Sequence, residues 1–164
     1  MKRKTFLRLS SLALASPLLD AAGQWTPQQK LKNWAGNIEY STTNVADPSS
    51  ISEAQNLIRS MDKLRMLGTR HCFNRIADSK HQLVSTKNLN KVVSLDAKAM
   101  TVTVESGIKY GELAPYLHEK GYALQNLASL PHISIGGSCS TATHGSGVNI
   151  GNLSTQVRSI ELIS

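Results

Sequence analysis

The sequence predicts an α+β or mixed α/β domain. Hydrophobic residues alternate with a period of two in some segments and recur at helical spacing in others, in the order strand, helix, strand, hairpin, helix, glycine-rich loop, strand. The chain has 164 residues, of which 40% are hydrophobic and 18% charged, so it can bury the core of one domain. No internal repeat is present. We therefore expect a single α+β domain.

The first half of the chain predicts short strands around one helix. Residues 38–41 can form a first strand, and residues 63–67 alternate as a second one. Between them, Ser50 followed by Glu53 has the pattern of a capping box and predicts the start of the helix. The apolar face of this helix consists of residues at helical spacing, namely Ile51, Ala54, Leu57, Ile58 and Met61.

A hairpin and a last strand are predicted in the second half. Residues 92–95 and 100–105 have the composition of paired strands with a short turn between them. One face of this hairpin is expected to hold Met100, Val102 and Val104. Residues 157–163 are apolar and predict the final strand.

The second helix is predicted over residues 111–120. Pro115 fits this helix only if it falls within the first turn, where a backbone N–H lacks a partner in any case. Gly121 is expected to end the helix, since glycine readily adopts the left-handed conformation found at helix ends.

Residues 1–23 have the layout of a signal peptide: a basic start, an apolar stretch and small residues up to Gly23. The run from Arg3 to Arg8 resembles a twin-arginine export signal. We therefore expect a periplasmic or exported protein whose domain occupies residues 24–164; the alternative is the N-terminal tail of a cytoplasmic protein. The apolar stretch is too short to span a bilayer, so no membrane span is predicted.

Charge and composition do not favour a nucleic-acid partner. The formal net charge is +7, but four of the basic residues lie within the first eight positions. Aromatic residues make up 5% of the chain, which leaves few platforms for stacking on bases. The two cysteines are too few for a disulfide framework or a four-thiolate zinc site.

The segment from Gly121 to Val157 contains no Asp, Glu, Lys or Arg and is rich in glycine and hydroxyl residues. Exposed main-chain N–H groups and hydroxyls can hold a pyrophosphate without a lysine, so we expect a cleft for a dinucleotide. The alternative is a tightly packed Ser/Gly turn cluster. Gly145, Gly147 and Gly151 do not match the Rossmann spacing, and no P-loop motif is present.

His71 follows a predicted strand end and a glycine turn. A neutral imidazole there could act as a nucleophile on an electrophilic ring substituent of a bound cofactor; the alternative is a hydrogen-bonded structural histidine. In an extended chain, neighbouring Cys72 would point to the opposite face. We predict no metal site, because adjacent His71 and Cys72 could not easily join Cys139 and His144 in one tetrahedral site.

Three stretches together resemble a known family. They are Asn33-Trp-Ala-Gly-Asn-Ile38, Leu67-Gly-Thr-Arg-His-Cys-Phe-Asn74, and Asn126-Leu-Ala-Ser-Leu-Pro-His-Ile-Ser-Ile-Gly-Gly-Ser138 continuing through Thr143-His-Gly-Ser-Gly147. They resemble the flavin domain of alditol (xylitol, sorbitol) oxidases, which belong to the vanillyl-alcohol-oxidase superfamily beside aldonolactone oxidoreductases such as gulonolactone oxidase.

The resemblance implies an FAD-binding PCMH-type domain, with FAD between two small subdomains and a covalent bond from His71 to the flavin 8α-methyl. Ser129 matches a residue placed between flavin and polyol substrate. Positions that match other cofactor contacts are Gly68, Thr69, Arg70, Cys72, Ser134, Gly137, Thr141, Ala142, Thr143 and His144.

The implied reaction oxidises an alditol to an aldose and reduces dioxygen to hydrogen peroxide, so the expected partners are a small polyol and dioxygen. Cys72 stands at a position where the family usually has a serine. Related bicovalent flavoenzymes carry a second linking cysteine near the position of Leu130, so the resemblance implies a single linkage in this chain. Family members are more than twice this length, so we expect a truncated domain without the C-terminal substrate domain. The alternatives are a sugar-acid or aldonolactone oxidoreductase and a non-catalytic FAD-binding fragment.

Overall fold

The computed structural model describes residues 30–163, and the predicted signal peptide at residues 1–23 lies outside them. Within the described part, the strands are β1 (Val45–Ala46), β2 (Leu64–Leu67), β3 (Gln82–Ser85), β4 (Val92–Asp96) and β5 (Thr101–Val104). The α-helices are α1 (Ile51–Arg59), α2 (Tyr110–Glu119) and α3 (Ile135–Cys139). This mixture of helices and strands confirms the predicted α+β class. No helix in residues 30–163 has the length and apolar character needed to cross a bilayer.

The first sheet is parallel and has the strand order β1-β3-β2. Its central strand β3 carries Leu83, which packs with Tyr40 and Leu67 in one hydrophobic cluster. The strand predicted at residues 38–41 is wrong. That segment folds back on the preceding residues, with Tyr40 N donating to Leu31 O at 2.8 Å, so β1 begins only at Val45.

Helix α1 begins where the sequence predicts. Ser50 Oγ accepts from Glu53 N at 3.1 Å, while the Glu53 carboxylate accepts from the backbone and hydroxyl of Ser49 rather than of Ser50. Ala54 is buried, whereas Ile51 is 45% exposed, so the buried face is narrower than predicted.

The hairpin of β4 and β5 is antiparallel, with a register shift between Val92 and Ser94, and confirms the prediction. Val102 and Val104 pack against a core formed by Ile108, Leu113 and Leu117. Met100 does not share their face. It is 71% exposed and has a φ of 53°, because it belongs to the turn that precedes β5.

Helix α2 contains Pro115 beyond its first turn, contrary to the prediction. Pro115 is exposed on the outer side, and burial of Leu113 and Leu117 on the inner side stabilises a helix that proline would otherwise interrupt. Gly121 follows the helix with a φ of 79°, as predicted.

The strand predicted at residues 157–163 is wrong as well. The segment is irregular, and Ile160 and Leu162 are 73% and 83% exposed. An apolar run becomes a strand only when another strand supplies its hydrogen bonds, and the part of the chain from 30 to 163 offers none here. Before it, Leu153 packs with Tyr110 and Ile133 in a third cluster.

Candidate functional site

The loop after β2 meets the segment that leads into α3. Thr69 Oγ1 accepts a hydrogen bond from Ser134 N at 3.4 Å, across 65 positions of sequence. A Cβ atom on Gly68 would lie 2.8 Å from Ser134 Oγ and 3.7 Å from Gly137 Cα, so the two main chains approach closely because neither position has a side chain. The two sequence motifs therefore build one site.

Ser134 occupies the middle of this contact. It is 1% exposed, and its Oγ has no hydrogen-bond partner within residues 30–163. A Cβ on Gly137 would lie 3.1 Å from the same atom. A buried hydroxyl without a partner is costly, and such groups are usually satisfied by protein, water or ligand. We call Gly68, Ser134 and Gly137 the glycine cradle. It contains one hydroxyl donor, that of Ser134, without a partner in the described residues.

Three aromatic rings surround the histidine of the first motif. The ring of His71 lies 4.6 Å from that of Trp34, 5.3 Å from that of Phe73 and 5.0 Å from that of His132, measured between centroids. His132 also stacks on Trp34, with centroids 5.5 Å apart and planes at 20°. The Nε2 atom of His132 lies 3.3 Å from Nδ1 of His71. We call Trp34, His71, Phe73 and His132 the aromatic cluster.

Asn33 fastens the loop that carries Trp34 to the loop that carries His71. Its Nδ2 donates to Cys72 O at 3.0 Å and to Asn37 Oδ1 at 2.8 Å. Trp34 N donates to the carbonyl of Arg70 at 2.8 Å. Arg70 has a φ of 61°, a conformation uncommon for a side-chain-bearing residue, and this bend turns the chain before His71.

The surroundings shift the pKa of both residues at the centre of the motif. Partial burial lowers the pKa of His71 below its ordinary value, and the neighbouring His132 lowers it further. Burial raises the pKa of the Cys72 thiol. His71 is therefore neutral at neutral pH, as a nucleophilic imidazole must be, whereas Cys72 stays a protonated thiol.

Helix α3 is linked to α2 by a contact between two buried hydroxyls, those of Ser138 and Tyr110. Ser138 Oγ donates to Ile135 O at 2.9 Å and lies within hydrogen-bond distance of Tyr110 Oη, at 3.1 Å. Burial raises the pKa of Tyr110 to about 12, so the phenol stays protonated. Tyr110 also packs in the third hydrophobic cluster, which ties the glycine-rich helix to α2.

The other predicted residues lie at the far end of α3. Thr141 Oγ1 donates to Gly137 O at 3.0 Å and lies 3.2 Å from Thr143 Oγ1, while Ala142 between them has a φ of 53°. His144 is exposed, with Nδ1 at 2.8 Å from Gly145 O. Ser129 is exposed on the loop that leads to His132.

No metal-binding group forms among the side chains described. Residues 30–163 contain no cluster of three or more His, Cys, Asp or Glu that could hold a metal ion. His71 and Cys72 are adjacent in the chain, and Nε2 of His132 lies 3.3 Å from Nδ1 of His71. The contacts around His71 and Ser134 consist of aromatic rings, hydroxyls and main-chain groups.

Three contributors to the site, His132, Trp34 and Asn33, were not predicted, although all lie within the quoted motifs. The side chain of Asn33 is buried and makes hydrogen bonds to both loops. The signal for His132 was available, since it is a titratable group within a segment that otherwise lacks charge. Its contact with His71 spans 61 positions, which no local pattern specifies.

Comparison with known proteins decides the family. The model of an FAD binding domain matches residues 42–164. The chain belongs to this family of FAD-binding domains. The resemblance to the vanillyl-alcohol-oxidase superfamily is thereby confirmed, and so is FAD as the cofactor, whereas the roles of single residues stay predictions.

The FAD-binding domain has relatives of more than one kind. It is 42% identical over 135 residues to alditol oxidase from Streptomyces sp., covering 80% of this chain and 32% of the relative. It is 33% identical over 138 residues to L-galactono-1,4-lactone dehydrogenase 1, mitochondrial, from Oryza sativa subsp. japonica, covering 82% of this chain and 24% of the relative. The chain thus spans about a third or less of the length of these relatives.

Solved structures agree on the fold. Cholesterol oxidase from B. sterolicum superposes with a TM-score of 0.61 at 20% identity, covering 71% of this chain and 24% of that one. At this identity the likeness establishes the fold alone. The FAD-binding domain also fits its cofactor in its donor chemistry, because the buried Ser134 hydroxyl has no partner within residues 30–163 and the neighbouring Gly137 is exposed and has no side chain.

Proposed function

We propose that the FAD-binding domain belongs to an oxidase that converts an alditol such as xylitol or sorbitol to an aldose and reduces dioxygen to hydrogen peroxide. One observation carries the proposal: the His71 loop and the uncharged Ser134 segment close around one site, at 3.4 Å between Thr69 Oγ1 and Ser134 N. The alditol branch is favoured by 42% identity to an alditol oxidase, against 33% to a lactone dehydrogenase.

His71 is the proposed point of covalent attachment to the flavin 8α-methyl. Its ring is half-buried, its lowered pKa leaves a nitrogen lone pair free at neutral pH, and Trp34 and Phe73 form apolar surfaces on which a flat ring system could pack. The exposed fractions of Trp34 and Phe73 are 58% and 62%, so both rings are available to a ligand.

The remaining residues are proposed to hold and orient the cofactor. When bound, FAD supplies a hydride acceptor for the alcohol carbon. The Ser134 hydroxyl would donate to the pyrophosphate, and the glycines would let the main chain approach it. Ser129 is proposed to contact the polyol. The residues proposed to line the cofactor are Gly68, Thr69, Arg70, Cys72, Ser134, Gly137, Thr141, Ala142, Thr143 and His144.

A second candidate is an aldonolactone oxidoreductase, which the rice relative favours. The two functions differ in substrate and in electron acceptor. Peroxide formation with xylitol or sorbitol supports the first function, whereas reduction of an artificial acceptor with L-galactono-1,4-lactone and no peroxide supports the second. This assay requires the protein with its substrate-binding portion.

The flavin linkage can be tested on the FAD-binding domain itself. Wild-type protein denatured in acid should keep yellow, fluorescent flavin bound to the polypeptide, and His71→Ala should lose it, because no nitrogen remains to form the bond. His118→Ala is the matched control, since His118 is exposed on α2. Colourless denatured wild type would contradict covalent attachment.

A further inference from the structure

We propose that His132 is a positioning residue for His71, holding its imidazole by a nitrogen-to-nitrogen hydrogen bond so that the opposite ring nitrogen is presented to the flavin. The inference rests on the proposed function, since it concerns the same covalent bond. The role is identified by the contact between Nε2 of His132 and Nδ1 of His71, which lie 3.3 Å apart.

The geometry restricts the His71 ring on two sides. Trp34 contacts both imidazoles, stacked on His132 at 20° and tilted against His71 at 46°. The two imidazoles meet edge to face at 65°, an arrangement that directs a nitrogen of one ring toward the other. Only one member of a neutral pair can donate in this hydrogen bond, so the contact also selects a tautomer.

The main chain fixes both partners independently. His132 lies between Pro131, whose carbonyl accepts from Gly111 N at 2.8 Å, and Ile133, whose carbonyl accepts from Tyr110 N at 3.2 Å. His71 lies between Arg70 and Cys72, whose carbonyls accept from Trp34 N and from Asn33 Nδ2. Each ring is therefore carried by a loop that has its own main-chain hydrogen bonds, as a positioning contact requires.

The covalent step balances in bonds, protons and electrons. It forms a bond between a His71 nitrogen and the 8α carbon, breaks one C–H bond there and releases the ring N–H proton of His71. The two electrons released would reduce dioxygen, which would take up both protons and become hydrogen peroxide. His132, in contact with the other ring nitrogen, is placed to accept the proton that His71 releases.

Two substitutions separate hydrogen bonding from packing. His132→Phe keeps a ring against Trp34 but has no nitrogen, whereas His132→Gln keeps a polar nitrogen and oxygen without the ring. We expect His132→Phe to slow covalent incorporation of added FAD at least about tenfold and His132→Gln to restore part of the rate. The measurement is flavin fluorescence retained on acid-denatured protein over time, with His118→Ala as the control.

The outcomes distinguish this inference from the function on which it rests. If wild-type protein never retains flavin after denaturation, the proposed linkage fails and the role of His132 fails with it. If wild type retains flavin and His132→Phe incorporates it at the wild-type rate, only the role of His132 is overturned. Equal slowing by both variants, with unchanged thermal midpoints, would also overturn the hydrogen-bond role, because the polar side chain should then have helped.

Discussion

At the scale of single residues, Ser134 is the position at which the proposed cofactor binding and protein stability can be measured separately. Its hydroxyl is buried without a partner in the described part of the chain, between positions where only glycine leaves room. Folding therefore leaves one hydrogen bond unmade. Such a cost is typical of a binding site, where the missing partner arrives with the ligand.

Ser134→Ala should weaken FAD binding without weakening the folded protein. Removing an unsatisfied buried hydroxyl costs no hydrogen bond in the free protein, while loss of a bond to a charged phosphate costs about 1.5–3 kcal/mol, or roughly 10–100-fold in Kd. Isothermal titration of the His71→Ala background, in which binding is reversible, measures the affinity, and thermal unfolding measures the stability.

Ser138→Ala is the matched control for this prediction. Its hydroxyl bonds to Tyr110 and Ile135, so its loss should lower stability rather than affinity. If Ser134→Ala lowers the unfolding midpoint as much as Ser138→Ala does and leaves the Kd unchanged, the hydroxyl serves the fold and not the cofactor.

At the scale of elements, the short helix α3 is shaped by its glycines. A Cβ on Gly136 would lie 2.9 Å from Ser106 O, so this glycine faces the body of the protein. Gly137 is exposed, and a Cβ there would meet only Ser134 Oγ, at 3.1 Å. One glycine therefore serves packing, and the next leaves open the surface assigned to the cofactor.

Gly137→Val should reduce flavin content far more than it reduces stability, because the branched side chain would occupy space meant for the pyrophosphate. Absorbance of flavin per protein measures the first effect, and thermal unfolding the second. In Gly107→Ala, the comparison variant, a Cβ would lie 1.8 Å from Thr86 O, so that variant should fail to fold. Full flavin occupancy in Gly137→Val would disprove the assigned cradle.

Local patterns predicted the elements that depend on local physics. The Ser50 cap, the hairpin turn and the Gly121 stop were correct because neighbouring residues determine them. The strand expected at residues 157–163 was wrong because a strand needs a partner that no local pattern names. The strand expected at residues 38–41 was wrong because that segment makes only an isolated antiparallel bridge, between Lys32 and Glu39. The position of Pro115 in the helix was predicted wrongly, because burial of Leu113 and Leu117 outweighs the cost of a proline inside a helix.

The same distinction between local and long-range interactions separates the features of the site that were predicted from those that were not. Glycine and hydroxyl composition predicted a cradle for a dinucleotide, and the structure brings its two motifs together at Thr69 and Ser134. The aromatic cluster could not be predicted, because the approach of His132 to His71 depends on packing between distant segments. The resemblance, rather than composition, indicated which cofactor the cradle takes.

At the scale of the whole molecule, the site joins two separately packed regions. One contains Tyr40 with Leu67 and Leu83 of the parallel sheet, and the other contains the clusters around α2. Direct contact between them at the site includes Thr69 with Ser134 and His71 with His132. A ligand held between these loops would therefore bind the folded state across both regions.

Added FAD should raise the thermal midpoint of His71→Ala, in which binding is reversible. At 100 times its Kd, FAD should stabilise the folded state by about 2.7 kcal/mol, or roughly 5–15 °C. Riboflavin, which lacks the pyrophosphate, should give a smaller shift at the same concentration. A midpoint that does not move at saturating FAD would contradict binding to the folded domain.

The fastening of Trp34 and Asn33 to the His71 loop has a practical consequence for protein engineering. The family match begins at residue 42, downstream of both side chains. A protein trimmed to that boundary would keep every glycine of the cradle. It would lose the Trp34 indole that packs against His71 and the Asn33 amide that donates to the carbonyl of Cys72. Fragments or chimaeras should therefore start upstream of Asn33.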